Sequence, residues 1–235
     1  MKRILVIFAV VLLAAGFFLK DELLSKGAAP QKLGNPPQIS ERLAKAVIEP
    51  ISYQAFLENA AQARMAFTDD ASAKASLFQW VHNDMFEYWD DTQWDFYGMS
   101  RIAGEGEIAC GYFVTTLLKD LGFDIDRIRL AKARSGVMIE ELTRDIKKTN
   151  SLNAILDYVK AQPEGSVFII GLDFHTGFIT SAPDGIYFLH SNYIGREGVV
   201  REYAISSEAL HDSGFYMIGN LSTRADIMDL WQKNG

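Results

Sequence analysis

Cysteine is almost missing from this chain: one residue, Cys110, in 235. A lone thiol in an exported protein is either an inert buried residue or one retained for its chemistry, since oxidising compartments favour paired cysteines. Basic clusters are lacking too. Lys and Arg number 23 against 30 Asp and Glu, and the basic runs are single pairs such as Lys147-Lys148. Phosphate backbones are held by clustered cations, so nucleic acid is excluded as a partner. The four histidines (His82, His175, His190, His211) show no familiar metal-ligand spacing, so neither a metal nor another cofactor is expected. No internal repeat or low-complexity tract is visible.

The hydrophobic content of 49% is unevenly placed. Lys2 and Arg3 precede an unbroken apolar run from Ile4 to Leu19. Positive charge before such a run marks an export signal or an N-terminal membrane anchor over 1–25, with the remainder outside the cytoplasm. No cysteine follows the run to carry a lipid. Residues 26–38 hold three of the six prolines and read as a linker. Residues 39–235 are enough for one well-buried domain.

Within that domain the period changes along the chain. Helical spacing runs from Ser40 to about Val81, through Tyr53, Phe56, Leu57 and Ala61, then Ala73, Leu77, Trp80 and Val81. An aromatic-rich loop follows over 86–97. Gly104-Glu105-Gly106 leads to a helix from about Ala109 to Leu121, ended by Gly122, and two further helices are predicted over 136–148 and 151–161. Beyond Pro163 the pattern becomes strands: Val167 to Leu172, His175 to Thr180, Ile186 to Leu189, Val199 to Ile205 and Phe215 to Ile218. Helices first and antiparallel strands second make the class α+β.

Cys110 falls in the first turn of its helix, where unpaired backbone N–H groups favour a thiolate and can hold an oxyanion. Ala109 and Gly111 flank it there. His175, Gly177 and Ile179 share one strand face, and the glycine leaves open space beside the imidazole. Ala182-Pro183-Asp184-Gly185 reads as a hairpin turn. With a four-residue loop, Gly177 faces His190 and His175 faces Asn192, so either residue can orient the imidazole. The bland alternatives are a buried Cys110, a hydrogen-bonded core His175, and turn or surface roles for His190 and Asn192.

The order Cys at a helix start, His175-Thr176-Gly177-Phe178 on a strand, then Phe188-Leu189-His190-Ser191 resembles the papain-like superfamily. It is nearest to the NlpC-type peptidases of bacterial cell walls. The resemblance implies Cys110 as nucleophile, His175 as base and His190 as orienting residue, or Asn192 if the papain pattern holds. It implies a fold in which N-terminal helices pack the nucleophile helix on a C-terminal antiparallel sheet. It also implies thiol-dependent cleavage of amide or peptide bonds in the envelope, with peptide or peptidoglycan-like substrates. Tyr97 matches an upstream tyrosine that helps bind the oxyanion in some relatives. The chain departs from the family in Ala109-Cys110-Gly111, where Asp-Cys-Ser is usual, and in the stretch 136–161 between Cys110 and His175. A weaker likeness joins Cys110, Leu117-Leu118 and Leu121-Gly122-Phe123 to the cysteine helix of transglutaminase-like acyl transferases. A different class of function, an envelope binding domain with an unreactive Cys110, is separated from both by thiol reactivity in the folded chain.

Overall fold

A computed structural model describes residues 51–223. The apolar run of Ile4–Leu19, the 26–38 linker and the helical reading of 40–50 lie outside the described residues. Among the described residues, no helix is long and apolar enough to cross a membrane.

Ser52 starts α1 (Tyr53–Met65) by accepting the Ala55 N–H, and Asp69 starts α2 (Asp70–Gln79) by accepting that of Ser72. Helix continues through a π-helical turn, Trp80–Asp84, into α3 (Met85–Trp89). Phe86, Tyr88 and Trp89 are therefore helical, and the expected aromatic loop begins only at Asp90. Then come α4 (Cys110–Asp120), α5 (Arg127–Lys132) and α6 (Ser135–Leu142). The helix predicted over 136–148 stops early, because Asp145–Thr149 is an edge strand, β1. Isolated, the Asp-Ile-Lys-Lys segment has no strong strand signal, and its long-range pairing with β6 (Tyr216–Asn220) decides the outcome. Its two lysines suit an unpaired outer edge.

Helix α7 (Leu152–Lys160) precedes β2 (Val167–Gly171), β3 (Thr176–Ala182), β4 (Gly185–Asn192), β5 (Gly198–Tyr203), the short α8 (Glu208–His211) and β6. Within residues 51–223 the strands form one sheet in the order β1-β6-β2-β3-β4-β5, with every neighbouring pair antiparallel. The architecture is α+β. Both faces are covered, so β2 is a continuous apolar run. Val167 and Ile169 join Phe113, Leu117 and Phe178 on the α4 side, whereas Phe168 and Ile170 join Ile155, Val159 and Phe188 on the α7 side.

The hairpin register agrees with the sequence argument. Ser181 pairs with Ile186 and Phe178 with Leu189. The turn itself is tighter than four residues, since Ala182 and Gly185 also pair and leave Pro183-Asp184 as the connection. Extending the ladder does not shift it.

His82, in the π-helical turn, is buried against Phe78 and Tyr187, and its Nδ1 lies 2.8 Å from Thr180 Oγ1. Burial, with the Arg201 guanidinium nearby, pushes its pKa down to about 4. Burial likewise lowers those of His175 and His190. All three folded values lie below the unfolded one, near 6.5. Stability is therefore full above about pH 6.5 and falls as pH drops below it, because the unfolded chain takes up protons that the folded chain refuses. Thermal melts from pH 7 to pH 5 should show a Tm loss on the order of 5 °C or more, and a smaller loss for His82→Phe. A flat profile would count against neutral buried histidines.

Candidate active site

Cys110 opens α4 with no capping side chain. Ala109 before it is extended (ψ 157°). The approach to the helix is fixed at three points. Ile108 N–H donates to Gln93 O, Ala109 N–H donates to Gly98 O, and Ser191 Oγ–H donates to Ile108 O at 2.6 Å. The last bond joins the entry of α4 to β4 between His190 and Asn192, so the cysteine turn is held against the histidine-bearing strand. At Gly111 an added Cβ would stand 2.5 Å from Ala131 O. The close approach of α5 accounts for glycine directly after the cysteine.

Cys110 is partly exposed as a residue, while its thiol is largely buried. Burial pushes its thiol up, while the backbone N–H groups of Thr176, Gly111 and Cys110 itself pull it down, and burial prevails. The Thr176 amide is the peptide group joining it to His175, so the sulfur lies within one residue of the candidate base. Ala109, expected among the oxyanion donors, has spent its N–H on Gly98. The first-turn N–H groups of Cys110 and Gly111 are the ones directed at the sulfur.

His175 precedes β3 by one residue rather than lying within it, and its carbonyl accepts from Leu172 N–H. Its Nε2 is 2.7 Å from His190 Nδ1, and His190 Nε2 is 3.1 Å from Glu202 Oε1. Both rings are buried, 5% and 0% exposed. Burial raises the Glu202 carboxyl, but the hydrogen bonds from His190 and Ser207 and the proximity of His190 outweigh it and hold the group below its ordinary value. Ionised Glu202 can only accept, which orders the chain of protons. His190 donates through Nε2 and accepts at Nδ1 from His175 Nε2–H. His175 Nδ1 is left as a bare lone pair. Burial, and next the neighbouring His190, push the His175 pKa well below 6.5, so the imidazole rests neutral.

Of the two candidate orienting residues, His190 is the one bonded to His175. Asn192 shares its strand face but donates from Nδ2 to Glu197 Oε2 at 2.8 Å, and its Oδ1 accepts Ile194 N–H. It shapes the turn after β4. Gly177 does not leave open space beside the imidazole. A Cβ there would meet Leu189 O at 2.6 Å, a Phe188 ring carbon at 2.6 Å and His190 Cβ at 2.8 Å. The glycine lets β3 and β4 close up so that the two histidines touch.

Two further residues were not anticipated. Glu202 sits on β5, where His190 pairs with Val200 and Phe188 with Glu202. The period of two places Glu202 diagonally beside His190. The available signal was its parity with Val200 in the predicted strand Val199 to Ile205. Tyr193 places its ring edge-on to His175 at 5.1 Å, whereas Tyr97, which the resemblance suggested for the oxyanion, is exposed and packs its ring against Phe96.

Cys110 and His175 stand between two clefts and line both. A cleft of ~520 Å³ adds Gly171–Thr176, Arg134 and Phe215, and one of ~750 Å³ adds Ala109, Tyr112, Tyr193, Trp94, Phe96 and Tyr97. Among the described residues, no group of three or more His, Cys, Asp or Glu is placed to hold a metal ion. Compared with known proteins, the chain matches no family model and no curated sequence.

Proposed function

We propose that the chain is a thiol-dependent amide or peptide hydrolase of the papain-like kind. Cys110 is its nucleophile, His175 its base and His190 its orienting residue. The observation that carries this reading is the relay from Glu202 through His190 to His175, which leaves one imidazole nitrogen free on a histidine that lines the same two clefts as the helix-start cysteine. Burial lifts the thiol and depresses the imidazole, so the resting pair is neutral and proton transfer accompanies attack. The thiol proton passes to His175 as the sulfur–carbon bond forms. The carbonyl oxygen takes the charge and is held by the first-turn N–H groups of Cys110 and Gly111. Collapse breaks the C–N bond, and His175 returns the proton to the leaving amine. Water then attacks the thioester with His175 as base, releasing the acid and restoring the thiol. The run Ile4–Leu19 supports an extracytoplasmic setting, tethered or secreted, with envelope peptides as the substrate class.

The test is covalent. After incubation with acyl p-nitroanilides, intact mass spectrometry should find the acyl group on Cys110 and not on a Cys110→Ala chain. If Cys110 stays inert to acyl donors and to iodoacetamide until the chain is unfolded, the domain binds rather than cleaves. In the wild type, alkylation by iodoacetamide should rise with pH through and beyond the ordinary cysteine range, near 8.5. A plateau reached by pH 6 would mean a preformed thiolate and contradict the neutral pair.

A further inference from the structure

The larger cleft beside Cys110 has one charged residue in its wall, Lys132, and is otherwise mostly apolar. Its rim is unusually exposed for apolar side chains: Phe96 is 70% exposed, Tyr97 81%, Met99 56% and Phe174 97%. Such a contiguous apolar surface in water marks a binding site rather than a random scatter.

The wall is also built, not draped. Met99 pairs with Ile108 and Gln93 with Glu107 in isolated bridges. Arg127, buried beneath, donates to Met99 O and Ser100 O while its guanidinium covers the Tyr112 ring at 4.8 Å. A Cβ at Gly98 would stand 2.6 Å from the Glu107 backbone. Arg196 pairs with Asp95 and lies 5.7 Å over Trp94, which itself approaches Tyr193 at 6.4 Å. These contacts fix the backbone that carries the exposed side chains, together with the rings of Trp94 and Tyr112, so the frame of the cleft is shaped before a ligand arrives.

We infer that this cleft binds an extended apolar acyl chain, and that the acyl half of the substrate is lipophilic. The inference rests on the hydrolase reading of Cys110 and His175. Both clefts reach Cys110, Gly111, Phe174 and His175, but the larger extends along the nucleophile turn to Ala109 and Tyr112, whereas the smaller extends along the His175 loop to Gly171, Leu172, Asp173 and Thr176. In amide cleavage the acyl half stays on the sulfur and the amine leaves with the imidazole's proton. The apolar cleft therefore belongs to the acyl half. Its volume of ~750 Å³ is more than one aromatic side chain fills, which favours a chain over a single benzyl group.

The experiment compares p-nitroanilides of straight-chain acids from two to twelve carbons, N-acetylphenylalanine p-nitroanilide, and dodecylamine acetamide with the chain on the leaving side. kcat/KM should rise on the order of threefold per added methylene until the cleft is full. Phe96→Ala and Met99→Ala should lower the long-chain rate more than the short-chain rate. Faster cleavage of the phenylalanyl compound than of the decanoyl one, or an equal gain with the chain on the amine, would overturn the assignment. A second series separates this from failure of the hydrolase reading. N-alkylmaleimides of increasing length add to the Cys110 thiol without any hydrolysis, and their rates relative to the unfolded chain should climb with length. If they climb and no anilide is cleaved, the apolar cleft stands and the hydrolase reading falls. If anilides are cleaved with no chain-length preference, or the maleimide rates are flat, the acyl-chain assignment is wrong.

Discussion

Cys110→Ala should abolish turnover on any substrate the chain cleaves, and His175→Ala should cost about 10³-fold or more in kcat, because the two act as one unit. His190→Ala should fall between these and wild type, roughly 10- to 100-fold down, since it removes the acceptor of the His175 Nε2–H but not the base. His190→Asn keeps an acceptor on the same strand position and should recover part of the loss, which a merely structural role would not predict. Asn192→Ala should do less than either, because its bonds run to Glu197 and Ile194 rather than to His175. Glu202→Gln removes the fixed acceptor that orders both imidazole tautomers. It should lower kcat with little change in KM. Steady-state kinetics at matched stability check the series. Full activity in His190→Ala with loss in Asn192→Ala would transfer the orienting role, and activity in all of them would end the Cys–His mechanism.

Gly177→Ala should be the most damaging single methyl in the hairpin. The new Cβ would lie 2.6 Å from a backbone oxygen, Leu189 O, and 2.8 Å from His190 Cβ. Neither the ladder nor a strand-borne Cβ can swing aside as the end of a long side chain can. Overpacking of this kind costs on the order of 1–3 kcal/mol or more. Here it would also separate β3 from β4 where the two imidazoles meet. Urea unfolding should report the lost stability, and histidine ring NMR the broken His175–His190 bond. Unchanged stability with an intact ring contact would show that the strands have slack here.

What was legible in the residues divides by range. The fold class followed from period alone, because a 3.6-residue stripe and a two-residue alternation are local properties of the chain. The hairpin register was legible too. A short turn joins its strands, and once Ser181 faces Ile186 every later pair is determined. Hence counting brought both His190 and Asn192 to the strand face opposite His175, without choosing between them. The edge strand Asp145–Thr149 was not legible, since its lysines carry no local strand signal and its partner β6 lies some seventy residues further on. Glu202 escaped for the same reason, as its closeness to His190 depends on β5 joining the far side of β4.

By itself, the sequence determined the α+β order, the cysteine at a helix start, the His-x-Gly strand and the register that brings His190 opposite Gly177. Only the tertiary structure decided that His190 rather than Asn192 meets His175, that Glu202 completes the relay, and that Gly111 and Gly177 are there for close approach. It also decided that the aromatic stretch after α3 stands beside the sulfur as the wall of a cleft. These outcomes turn on contacts of a few ångströms between segments far apart in the chain, where backbone closure and buried hydrogen bonds select among residues that composition and spacing treat alike.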